Sequence, residues 1–104
     1  MTDALVVLCT CSSREEAMRI AQTLVEERLA ACVNVLPGVT SVYRWQGQVE
    51  TAEEVLLVMK TAEQRFSQLC ERIAALHSYE VPEIISLAVT AGAEKYLAWL
   101  RGQL

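Results

Sequence analysis

The stretch VLLVM, Val55 to Met59, is apolar at every position. Successive side chains of a strand point to opposite faces. Val55, Leu57 and Met59 would therefore face one way, and Leu56 and Val58 the other. Two further segments share the property. In ALVVLCTC, Ala4 to Cys11, one face carries Leu5, Val7 and Cys9 while Val6 and Leu8 take the opposite one. IISLAV, residues 84–89, is also apolar on both sides. An antiparallel sheet with one face in water alternates apolar and polar residues. A chain with these strands must cover both faces of its sheet.

The segments between them supply the rest of the plan. After the first strand, Ser13 and Glu16 have the spacing of a capping box, so a helix starts there. Ala17, Ile20, Ala21, Leu24 and Val25 then form one helical stripe, ending near Glu27 to Leu29. Cys32 to Trp45 reads as a long strand with a bulge or bend at Pro37-Gly38, because proline cannot donate to a ladder. Gln46-Gly47 is a tight turn, and Gln48 to Lys60 returns as the second arm of a hairpin. Thr61 and Gln64 offer another capping box, ahead of a stripe of Phe66, Leu69, Cys70, Ile73 and Leu76. Pro82 holds Val81 extended. Glu83 to Thr90 reads as a fourth strand, and Ala93 to Leu100 as a closing helix. The order β-α-β-β-α-β, then α, is the α+β, ferredoxin-like split βαβ plan: an antiparallel sheet with helices on one face. With no repeat, linker or low-complexity stretch, residues 1–104 are one domain.

Two helices cover one face only. The closing helix, through Ala93, Tyr96, Leu97, Trp99 and Leu100, is a candidate cover for part of the other. The hairpin arms are roughly twice the usual strand length of about 5–6 residues and would project past the sheet. Projecting edges and an uncovered apolar face are commonly buried by partner chains. The expectation is an obligate homo-oligomer with clefts between subunits.

Several function classes are disfavoured. The net charge is −4 and no Lys/Arg cluster exists, which argues against nucleic acid as a partner. No apolar run approaches the roughly 20 residues of a membrane span. The start lacks a basic n-region and a long apolar stretch, so a cytoplasmic location is expected, with Cys9, Cys11, Cys32 and Cys70 reduced. A phosphate-cradling enzyme would use Ser12, Ser13 and Arg14 at a helix start. That segment has no glycine, and Cys9 to Arg14 is C-x4-R rather than C-x5-R. No catalytic residues are assigned, and the chain is not expected to be an enzyme.

Cys9 and Cys11 share a strand face, roughly 6.6 Å apart at Cα. Two thiolates so placed could grip a soft ion such as Cu(I); the alternative is two small core-facing residues, the reading favoured for Cys11. Cys32 and Cys70 read as core. His77, the only histidine, ends the second helix. There it is either a charge at a helix C-terminus or part of a site built from other segments.

The stretches VVLCT, EERLAACVNVLPGVTSVYRWQGQVE, EVLLVMKT and HSYEVPEI together resemble the divalent-cation-tolerance protein family CutA, nearly end to end and in order. The resemblance implies a ferredoxin-like subunit in a homotrimer, strands pairing across subunits, and binding of Cu(II) or other divalent cations. It also implies copper ligands at a cysteine ending the first strand, which is Cys9, and at two adjacent histidines after the second helix. The second of these is His77; the first falls on Leu76, and the proline that follows is Ser78. Cys9 and His77 make two ligands, one fewer than a typical protein metal site, so Glu83 or a neighbouring subunit would complete the set. The family also resembles the trimeric PII signalling proteins, which hold ligands between subunits. On that reading Lys60, Tyr79 and Glu83 line a small-molecule cleft, with Arg44 and Trp45 in matching segments and Trp45 more simply a subunit contact.

Overall fold

A computed structural model describes residues 2–104. Strand β1 (Ala4–Cys11) is followed by helix α1 (Arg14–Glu26), then by β2 (Cys32–Trp45) and β3 (Gln48–Ala62). A single 3-10 turn (Glu63–Arg65) leads into α2 (Phe66–Leu76), β4 (Ile85–Ala88) and α3 (Glu94–Gly102). The sheet order is β2-β3-β1-β4, antiparallel throughout. This is the α+β arrangement expected from the element order.

Strand parity sorts the side chains as the sequence suggests. Leu5, Val7, Cys9 and Cys11 of β1, with Val55, Leu57 and Met59 of β3, are buried beneath Ala17, Ile20, Ala21 and Leu24 of α1 and Leu69 and Ile73 of α2. Each large side chain buried there contributes about 1.5–3 kcal/mol. The opposite face is treated differently. Val6, Leu8, Leu56 and Val58 are only half-buried, and Ile85 and Leu87 are 51% and 54% exposed. Helix α3 covers one end of this face, where Leu100 packs on Ala4 and Ala31 with Leu97 and Val89 beside it. The rest is open.

The hairpin projects. The molecule measures 44 × 25 × 23 Å, and residues 42–51 are nearly all exposed. Its turn has positive φ at both Gln46 (50°) and Gly47 (80°), the backbone that matches strand twist in a two-residue loop. At Pro37-Gly38 the register shifts: Leu36 faces Leu56, but Val39 faces Glu54. β2 thus spends one residue more than β3, and Gly38 takes φ 78°.

Three local expectations change. Ser13 caps α1 by accepting from the Glu16 N–H at 3.1 Å, but the Glu16 carboxylate does not close the box on Ser13. It accepts instead from Ser12 and Ser78. The Thr61–Gln64 box does not form. Thr61 is buried at the end of β3, where its hydroxyl donates to the Leu29 carbonyl at 2.7 Å, and Gln64 donates to Asp3. The fourth strand is shorter than residues 83–90. Leu8 pairs with Ile85, so extending the ladder would set Glu83 against Thr10, and the Thr10 carbonyl is engaged by His77.

Candidate metal centre

The centre lies where β1 ends and the chain leaving α2 folds back over it. Helix α2 stops at Leu76, whose carbonyl accepts from Arg19 of α1 at 3.2 Å. His77 then turns to extended backbone. Residues 77–79 form a strap held at three points. The Ser78 N–H donates to Glu16 Oε2 at 2.7 Å. His77 Nε2 meets the Thr10 carbonyl at 2.8 Å, and the Tyr79 hydroxyl donates to Glu54 Oε2 at 2.6 Å. Glu16 is buried. Burial raises its pKa, but the Ser78 and Ser12 hydrogen bonds, helped by nearby His77, outweigh it, and the carboxyl ends below its ordinary value.

The strap puts His77 beside the two strand thiols. One ligand atom each from Cys9, Cys11 and His77 lie within 4.8 Å of one another. Both cysteines are wholly buried. The Cys9 thiol is held protonated: contact with the Cys11 thiol is the larger cause and burial the next, with the Glu83 and Glu16 charges adding to them. The imidazole is already satisfied. Nδ1 accepts the Tyr79 N–H at 3.0 Å, which fixes the proton of the neutral ring on Nε2, where it is donated to Thr10. An ion must therefore displace one backbone partner of His77 and the thiol protons. Each hydrogen bond surrendered costs about 1 kcal/mol.

The structure gathers Cys9 and His77, placed together in the sequence reading, and adds Cys11, which was read there as core. Cys11 is both: it is buried, and its sulfur is in the group. Glu83 is not a member; it lines the neighbouring cavity. Leu76, at the position of the family's first histidine, packs against the core. Cys70, on α2, and Cys32, on β2, lie outside the centre. Ser12 donates to Glu16, so a carboxylate of the chain itself occupies the start of α1.

Beside the centre is a cavity of about 530 Å³, whose walls include Thr10, Tyr43, Trp45, Glu54, Tyr79 and Glu83. Tyr79 and Glu83 were expected at such a place, and Trp45 was read more simply as a subunit contact. Tyr43 and Glu54 were missed; counting the hairpin register past the bulge would have found both. Burial, with Glu54 opposite, pushes the Tyr79 phenol up. Lys60 lies elsewhere. It stands opposite Val6 and Cys32, and its ammonium donates to Asn34.

The family model described as CutA1 divalent ion tolerance protein matches residues 5–103. The divalent-cation tolerance protein CutA of Thermus thermophilus is 56% identical over 96 residues, covering 92% of this chain and 93% of that protein. The solved Thermus thermophilus divalent cation tolerance protein superposes with a TM-score of 0.95 at 54% identity, covering 96% of this chain and 97% of that one. A structure named as the periplasmic divalent cation tolerance protein CutA of Archaeoglobus fulgidus gives 0.93 at 35% identity, with 96% and 97% covered. Among the described residues no helix is long and apolar enough to cross a membrane. In fold and in sequence, the chain belongs to the CutA1 divalent ion tolerance family.

Proposed function

We propose that this chain is a cytoplasmic divalent-cation-binding protein that works as a homotrimer, holding copper or another divalent ion with Cys9 and His77 as ligands. One observation carries the reading: residues from separate elements place sulfur and imidazole donors within 4.8 Å of one another. The half-exposed face of Leu56, Val58, Ile85 and Leu87 supports the assembly, since a contiguous apolar patch of this kind marks an interaction site. Lys60 has the strand parity of that face and in a trimer would meet a neighbour. The test is copper titration of the reduced protein beside His77→Ala. The expected result is weaker binding by the variant; equal affinity removes His77 from the site.

A second reading, a PII-like sensor of a small molecule, is favoured by the cavity. Its volume and its mix of aromatic and carboxylate groups suit a small ligand. On this reading a ligand that raises the parent's melting temperature loses its effect in Tyr79→Ala or Glu83→Ala, while copper affinity is unchanged. A ligand effect that survives both substitutions removes the cavity from the function.

A further inference from the structure

We propose that Cys11 is the third ligand of the centre, and that the resulting two-sulfur, one-nitrogen set selects a soft, thiophilic ion, Cu(I), over hard divalent cations. The inference rests on the metal-binding reading above and deepens it.

The geometry comes first. Trigonal coordination with metal–sulfur bonds of about 2.3 Å and a metal–nitrogen bond of about 2.0 Å sets the sulfurs ~4.0 Å apart and each ~3.7 Å from the nitrogen. The three donors here already lie within 4.8 Å of one another, so a contraction of about 1 Å at most brings them to bonding positions. Parity makes this possible. Cys9 and Cys11 are two residues apart on one strand and point to the same face, beneath α1 and α2. The strap brings His77 over that strand end through Thr10. Cys11 thus supplies the donor that Leu76 cannot.

The donor chemistry follows. Two of three ligands are sulfur and none is oxygen. The carboxylate next to the group, Glu16, is committed to Ser12 and Ser78. Both sulfurs are wholly buried, so water cannot easily fill further positions. Hard divalent ions such as Mg(II) and Mn(II) prefer octahedral oxygen ligands and retained water. Cu(I) accepts two or three soft ligands and needs neither. Binding balances as one Cu(I) taken up and two thiol protons released, while His77 exchanges one backbone partner for the ion.

The test uses the full chain, reduced and anaerobic, with Cu(I) set in competition against bicinchoninate. The parent should hold Cu(I) far more tightly than Mn(II), and Cys11→Ser and Cys11→Ala should each weaken Cu(I) about tenfold or more, as losing a ligand should cost at least what losing an outer partner does. Cys70→Ser, outside the group, should match the parent. X-ray absorption of the Cu(I)-loaded parent needs no variant and should count two sulfurs at the copper. One sulfur, or unchanged affinity in both Cys11 variants while Cys9→Ser and His77→Ala bind poorly, overturns the proposal and leaves the metal-binding reading standing. Unchanged affinity in all of these variants overturns both. Mn(II) bound as tightly as Cu(I) overturns the selectivity.

Discussion

Glu16→Gln tests the strap directly. The Glu16 carboxylate works on two sides: Oε1 accepts from the Ser12 N–H and hydroxyl, both at 3.3 Å, and Oε2 accepts from the Ser78 N–H at 2.7 Å. An amide has one oxygen and one NH2 group. Whichever way the new amide turns, a donor meets a donor on one side. Hydrogen bonds to a charged group are worth about 1.5–3 kcal/mol, and the exposed Ser78 recovers part of the loss through water, so the expected cost is ~2 kcal/mol. For a domain near 100 residues this lowers the melting temperature by about 8 °C or more. The assay is urea unfolding at neutral pH, with parent and variant at one protein concentration because assembly makes stability concentration-dependent. The acid limb gives a second handle. The folded carboxyl titrates below its ordinary value of 4.5. The unfolded chain therefore binds the proton first, and the contribution is complete above that value and lost as pH falls through the folded one. The gap between parent and variant should close in acid. A gap below about 0.5 kcal/mol at neutral pH, the range of ordinary surface changes, or one that stays constant through the acid limb, would refute the clamp.

Tyr79→Phe removes the 2.6 Å bond to buried Glu54 and should cost about 1.5–3 kcal/mol in urea unfolding. Spectrophotometric titration of the parent should show Tyr79 and Tyr96 ionising above a free phenol: burial is the first cause for both, with Glu54 beside Tyr79 and Cys32 beside Tyr96. In Tyr79→Phe one late-titrating phenol should vanish. Gly47→Ala forces a side chain onto φ 80° and should destabilise by about 1 kcal/mol through strain alone, since nothing lies near enough to clash. Val58→Glu places a charge on the open face of β3 and should reduce the sedimentation mass of the assembly; an unchanged mass would exclude that face from the interface.

Much of the fold is legible because its punctuation is chemical. Pro37-Gly38 and Gln46-Gly47 mark the bulge and the turn, and a run like VLLVM announces a strand apolar on both sides. What the sequence conceals is competition for the same atoms. Thr61 has the spacing of a cap, but its hydroxyl meets Leu29, 32 positions away. Glu83 continues an apolar strand, but the carbonyl it would pair beside is engaged by His77. The centre was half legible. Parity puts Cys9 and Cys11 on one face, and nothing local says that the chain after α2 folds back over that strand end. Lys60 shows the same limit: a lysine ending an apolar run reads as a cleft residue only while it is unknown which end of the sheet carries the cleft.

The extra residue at Pro37-Gly38 acts as an inverter for the whole distal arm. Before it, Asn34 and Leu36 stand with Val58 and Leu56; after it, Val39, Ser41, Tyr43 and Trp45 stand with Glu54, Ala52, Glu50 and Gln48. Pairing β2 without the bulge, every residue kept, would leave the first group where it is and set Thr40, Val42 and Arg44 against Ala52, Glu50 and Gln48, on the side that Tyr43 and Trp45 now occupy. The aromatic wall beside Tyr79 therefore owes its chemistry to a bulge at a point remote from it. Deleting Gly38, which takes out the surplus residue, should therefore keep Tyr43 and Trp45 on that wall.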